Sequence, residues 1–160
     1  MQDLIILEAL IMESEGIVLE FKFISCESEQ GNVTLEYIKE LEGKLEISFP
    51  DVLIDFYTNH NKAELLEPTF TIEDLEFTIE FIIPLCNGRV CVEKILSFNS
   101  GNEYIPKTFI PLAEDIMGSD FYWDSSNSKV YYLYMGNVEN PIPICDTVEQ
   151  FFELLNKSCE

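Results

Sequence analysis

Apolar residues recur at helical spacing in three places. Leu35, Ile38, Leu41 and Leu45 form one apolar stripe, which predicts a helix. Thr34 is placed to cap its first turn, and Glu36 complements the positive end of the helix dipole. Pro50 suits the first position of a second helix, where a missing N–H costs nothing, and Val52, Leu53, Phe56 and Tyr57 form its buried side. With only a short turn between them, the two helices should pack as a hairpin. A third helix is expected near the end of the chain, opened by Asp146-Thr147 and carrying Val148, Phe151, Phe152 and Leu155 on one face.

Between the helices the period changes to two. Phe70, Ile72, Phe77, Ile79, Phe81 and Ile83 are interleaved with Glu73, Asp74, Glu76 and Glu80, a pattern of strands with one wet face. Asn87-Gly88 follows an apolar run and precedes Val90, Val92 and Ile95, a hairpin-type signal. Phe109 to Ala113 reads as a further strand. Asp120 to Asp124, a polar turn, and Lys129 to Met135 read as a β-hairpin. Upstream, Ile17, Leu19, Phe21 and Phe23 alternate with Val18, Glu20 and Lys22 as in a strand. Cys26 to Asn32 reads as a polar connection, and residues 1–12 fit a helix or a buried strand equally well. No linker or repeat divides the 160 residues, so one α+β domain spanning 1–160 is expected, with 1–32 as an N-terminal extension. Strand order is not readable at this level.

Charge sharpens the picture. Thirty Asp and Glu stand against nine Lys and Arg, a net of −21. Spread over the surface of a domain this size, that is one net charge per roughly 400 Å², about 20 Å apart. Self-repulsion at that spacing is mostly screened at a Debye length of about 8 Å, so the domain can fold. Nucleic acid is an unsuitable partner, because phosphate binding draws on Lys and Arg. Anionic membranes repel such a surface as well. A basic protein would be steered toward it.

Little in the chain announces catalysis. Five cysteines, Cys26, Cys86, Cys91, Cys145 and Cys159, include no CxxC pair, and there is one histidine, His60. A zinc or His-based metal cluster is therefore not expected. Cys86, Cys91 and Cys145 read as small buried hydrophobes, with Cys159 as the exposed thiol. Unpaired cysteines fit a reducing, cytoplasmic compartment, and the apolar start lacks the basic region of a secretion signal. Phosphate-binding glycine loops are absent, so no cofactor is expected. The most conspicuous cluster is Asp120, Trp123 and Asp124. Its simplest reading is a strand end with solvated acids and a half-buried Trp; a binding role requires an exposed Trp123, since Trp is a favoured interface anchor.

The chain also resembles a known family. Ile38 to Glu42, Leu45, Phe49-Pro50-Asp51, Phe56 and Asn61 fall in the order of the first motif of the SUKH superfamily, the fungal glucan-synthesis-regulator homologues that include many bacterial immunity proteins. Phe109 to Ala113, Asp115, Gly118, Asp120 to Asp124, Val130-Tyr131-Tyr132 and Ile144 to Thr147 resemble its second half, and Phe151, Phe152 and Leu155 its closing helix. Three positions depart from the pattern: Glu46 stands where the family often has Gly, Phe49 replaces Leu, and Lys62 replaces the Gly after Asn61. The resemblance implies a central, mostly antiparallel sheet flanked by helices. It also implies a non-enzymatic role: binding and neutralising a toxin domain, often a nuclease, with regulation of an endogenous protein as the alternative. Under that reading Glu73, Asp74, Glu76, Asp115, Asp120, Trp123 and Asp124 are the candidate partner-binding residues, their acids standing in for the phosphates that a basic toxin binds.

Overall fold

A computed structural model describes residues 20–27, 32–101 and 104–160. The alternatives for residues 1–12 and the expected strand residues Ile17, Val18 and Leu19 lie outside them. Among the described residues four α-helices and eight strands follow in the order β1 (Ile24–Cys26), α1 (Leu35–Leu45), α2 (Asp51–Asn59), β2 (Glu64–Leu65), β3 (Thr69–Ile72), β4 (Leu75–Ile82), α3 (Val92–Asn99), β5 (Phe109–Asp115), β6 (Asp120–Asp124), β7 (Val130–Leu133), β8 (Ile142–Cys145) and α4 (Val148–Ser158). Strands β3 to β8 form one sheet in sequence order, antiparallel throughout, and β1 pairs with β2. The fold is α+β, a central antiparallel meander with helices packed on it.

Two helices, α1 and α4, start where their Thr caps place them, whereas α2 starts at Asp51, one residue after the position expected from Pro50, whose backbone is still extended with ψ 147. Thr34 Oγ1 accepts the Tyr37 N–H, and Thr147 Oγ1 accepts the Gln150 N–H, so each satisfies a donor that lacks an intrahelical partner. Helix α1 ends at Glu46, whose backbone is left-handed with φ +56 and whose N–H bonds the Glu42 carbonyl. That is the position where the resemblance expects Gly, and the reason is now visible: only Gly adopts this conformation without Cβ strain.

One face of the sheet closes the core. Phe70, Phe77, Phe121 and Tyr132 pack on one another and, with α4, on Phe151. Phe56 of α2 stacks on Phe152 of α4, and Phe23 packs against both rings. The stretch around Phe21 and Phe23 is therefore part of the core, but as turn backbone ahead of the short β1 rather than the strand its alternation predicted.

Two other expectations are corrected. The Asn87-Gly88 step does not make a hairpin: Asn87 takes φ +67, but the chain then enters α3 at Val92. Val92, Ile95 and Leu96 are spaced i, i+3, i+4, and this helical period outweighs the local turn signal. The exposed cysteine is Cys26, whereas Cys159 is partly covered; Cys86 and Cys91 are buried, Cys145 is half-buried, and all five are free thiols. No helix among the described residues is long and apolar enough to cross a membrane.

Candidate functional site: an open acidic sheet face

On β4 the core positions are Phe77 and Ile79, leaving Glu76, Thr78 and Glu80 to point outward. The alternation then slips. A bulge between Ile79 and Phe81 makes Glu80 the extra residue. Beyond it Ile82 faces the core opposite Ala113, and Phe81 is left half-buried. Across the sheet, Glu114 of β5 lies directly opposite Asp120 of β6. Glu76, Glu80, Glu114 and Asp120 thus occupy one face over three adjacent strands, next to the exposed Glu73 and Asp74 at the β3–β4 turn.

Like charges opposite one another on a sheet destabilise it, and the acids register this. Burial, reinforced by Glu80 and Asp115, raises the Glu114 carboxyl above its ordinary value. Asp120 is pushed up to about 7, first by burial and then by Glu114 and Asp115, and one of its oxygens is buried without a hydrogen-bond partner. Among the described residues, the lysine salt bridges are Lys22–Glu160 and Lys39–Glu42; no Lys or Arg bridges to the sheet-face acids.

The candidate residues named from sequence divide sharply. Glu73, Asp74 and Glu76 are exposed and Asp120 is half-buried on this face. Trp123, 3% exposed, points the other way, with its ring 6.0 Å from Phe49; it is a core residue and offers a partner no surface. Asp115 is 3% exposed and inward: it accepts the N–H groups of Met117 and Ser119 and the Tyr132 hydroxyl. Asp124, also buried, accepts the N–H and hydroxyl of Ser126 and so shapes the β6–β7 turn. These three hold the fold. Sequence reasoning put Glu80 on the wet strand face without counting it among the candidate residues, and missed Glu114. Alternation in β5 was the available signal for Glu114, but a second bulge between Pro111 and Ala113 disturbs its period.

Asn61, from the first motif of the resemblance, is fully buried. Its side chain accepts the Leu85 N–H at 2.8 Å and donates to the Cys86 carbonyl at 3.2 Å. It pins the exit of α2 to the exit of β4 instead of meeting a partner. His60, next to it, sets Nδ1 2.8 Å from the Glu27 carboxylate and packs edge-on to Phe21.

Two clefts of about 580 and 490 Å³ are lined by other residues, the first around Cys86 and Cys91 and the second around Leu96 and Phe109; none of the sheet-face acids lines either. Among the described residues no group of three or more His, Cys, Asp or Glu is arranged to hold a metal ion.

Fold and face together define a small α+β domain with a helix-backed meander and an acidic sheet face, exposed at Glu76 and Glu80 and half-buried at Glu114 and Asp120. Residues 32–154, well over half the chain, match the model of the SMI1 / KNR4 family (SUKH-1). The chain belongs to that family. No curated protein matches it.

Proposed function

We propose that this chain is a non-catalytic protein-binding domain of the immunity type, which neutralises a basic toxin domain by occupying the surface that the toxin uses on its own target. The observation that carries this reading is the sheet face with Glu76, Glu80, Glu114 and Asp120 on adjacent strands, to which no Lys or Arg bridges among the described residues. Uncompensated like charge costs stability, so its retention fits a face that is completed by a cationic partner. Membership of the SUKH-1 family supports the reading. In mechanism, the net −21 accelerates encounter with a positive surface, and desolvated contacts slow release.

The test is whether a neighbouring gene encodes a toxin, followed by co-expression of this chain with the C-terminal domain of that toxin. Rescue of growth, with an association rate that falls steeply as salt rises, is the expected result. Rescue with a salt-independent rate would remove the charge-steering component. Failure to rescue, together with a phenotype in cells lacking any toxin, would instead assign the chain to regulation of an endogenous protein.

A further inference from the structure

Four large apolar side chains stand exposed at one end of the sheet: Ile116 (56%) and Met117 (72%) in the β5–β6 turn, and Tyr134 (51%) and Met135 (78%) just after β7. The two turns are tied together, since the Met135 N–H donates to Ser119 Oγ at 2.9 Å. The β5–β6 turn is also held from within. The carboxylate of Asp115 accepts the Met117 and Ser119 N–H groups, its carbonyl accepts the Gly118 N–H, and the Ile116 N–H bonds the Thr78 carbonyl of β4. Gly118, Met135 and Gly136 take positive φ, so the turns are tight. The cluster borders the acidic face through Glu114 and Asp120, which flank the β5–β6 turn.

Exposed apolar side chains on braced turns are an unusual use of surface. Met and Tyr are enriched in protein interfaces, where Met adapts its shape to a partner. Anchors held in place before binding lose less freedom when it occurs.

We propose that Ile116, Met117, Tyr134 and Met135 form the apolar anchor of the partner interface, and that its occupant is a basic protein surface carrying apolar side chains between its lysines or arginines. The occupant follows from charge: the Ile116 N–H bonds Thr78, which sits on β4 between the exposed Glu76 and Glu80, and the chain carries a net −21, so a cationic surface is attracted where a second copy of this chain would bring like charge. The assignment rests on the immunity reading above and names the part of the surface that would set residence time, while the acids set the rate of encounter.

The test uses the full chain and the C-terminal domain of whatever toxin an adjoining gene encodes. Met117→Ala with Met135→Ala should weaken binding by about tenfold or more, mainly through faster dissociation, with the thermal midpoint unchanged because both side chains are exposed. Met117→Leu with Met135→Leu should retain the affinity, and Leu35→Ala, at the start of α1, should leave it untouched. If the native chain binds and rescues but the double alanine variant binds as tightly, the anchor assignment is wrong and immunity stands. If the native chain never binds the toxin domain, or no toxin gene adjoins it, both readings fall. A native dimer in sedimentation that the alanine pair dissolves would give the face to a second copy and overturn the assignment.

Discussion

The side chain of Asn61 accepts the Leu85 N–H and donates to the adjoining Cys86 carbonyl, so one buried amide joins the exit of α2 to the exit of β4. A loop that leaves a sheet needs somewhere to place its backbone polar groups, and here a side chain from 24 residues upstream provides it.

Replacing Asn61 with Ala should therefore be costly although no charge is lost. Two buried backbone groups would be stranded, at about 1–3 kcal/mol each when unsatisfied. Urea denaturation should show a midpoint lowered accordingly, with an unchanged slope. A loss below about 1 kcal/mol would mean that water or a rearranged loop takes over both bonds.

At the other end of the chain, Asn156 of α4 accepts the Lys22 N–H at 2.8 Å and donates to the Glu20 carbonyl at 2.6 Å. Both positions lie outside the residues matched by the family model. The pair holds the stretch that delivers Phe21 and Phe23 to the core. Asn156→Ala should cost about 1–3 kcal/mol and speed hydrogen exchange at the Lys22 amide more than at strand amides of β5 and β6.

Glu46 offers a stabilising change. Its left-handed backbone places a Cβ where Gly would have none, so Glu46→Gly should raise stability by about 1 kcal/mol and raise the thermal midpoint. The gain is partly offset by the greater freedom of Gly in the unfolded chain. A lowered midpoint would show that the Glu46 side chain has a compensating role.

The pH response of Asp120 follows from a carboxyl pushed up to about 7 from its ordinary 3.8. Below that ordinary value it is neutral whether the chain is folded or unfolded. As pH rises toward about 7 the unfolded chain gives up the proton first, so Asp120 progressively lowers stability and then levels off. Glu114, raised by burial, Glu80 and Asp115, acts in the same direction. Asp120→Asn should flatten the decline in urea midpoint between about pH 4 and 7, and a carboxyl NMR titration of the native chain should place Asp120 near neutrality. A midpoint near 4 would show that the acidic face is fully solvated.

Three helices, the Thr34 and Thr147 caps, the β6–β7 hairpin and the family pattern were legible because each depends on neighbours within a few positions: a stripe at i, i+3 and i+4, a Thr before it, alternation in a strand. Glu46 was even marked as a misfit before the structure gave the φ that explains it. The seam at Asn87-Gly88 misled because a two-residue turn signal and a helical period compete, and Val92, Ile95 and Leu96 settle the matter by packing.

Which acids serve a surface and which serve the fold was decided by tertiary structure alone. Asp115 and Asp120 are five residues apart and chemically identical, yet Asp115 meets the Tyr132 hydroxyl inside while Asp120 faces Glu114 outside. They lie on different strands on either side of a turn, so alternation along one strand does not relate their faces, and which face is buried depends on α4 and Phe151, distant in sequence. Bulges at Glu80 and beyond Pro111 shift the count again, and Trp123 is buried because Phe49 packs on its ring. Composition sets the total charge, and long-range packing sets where that charge meets solvent.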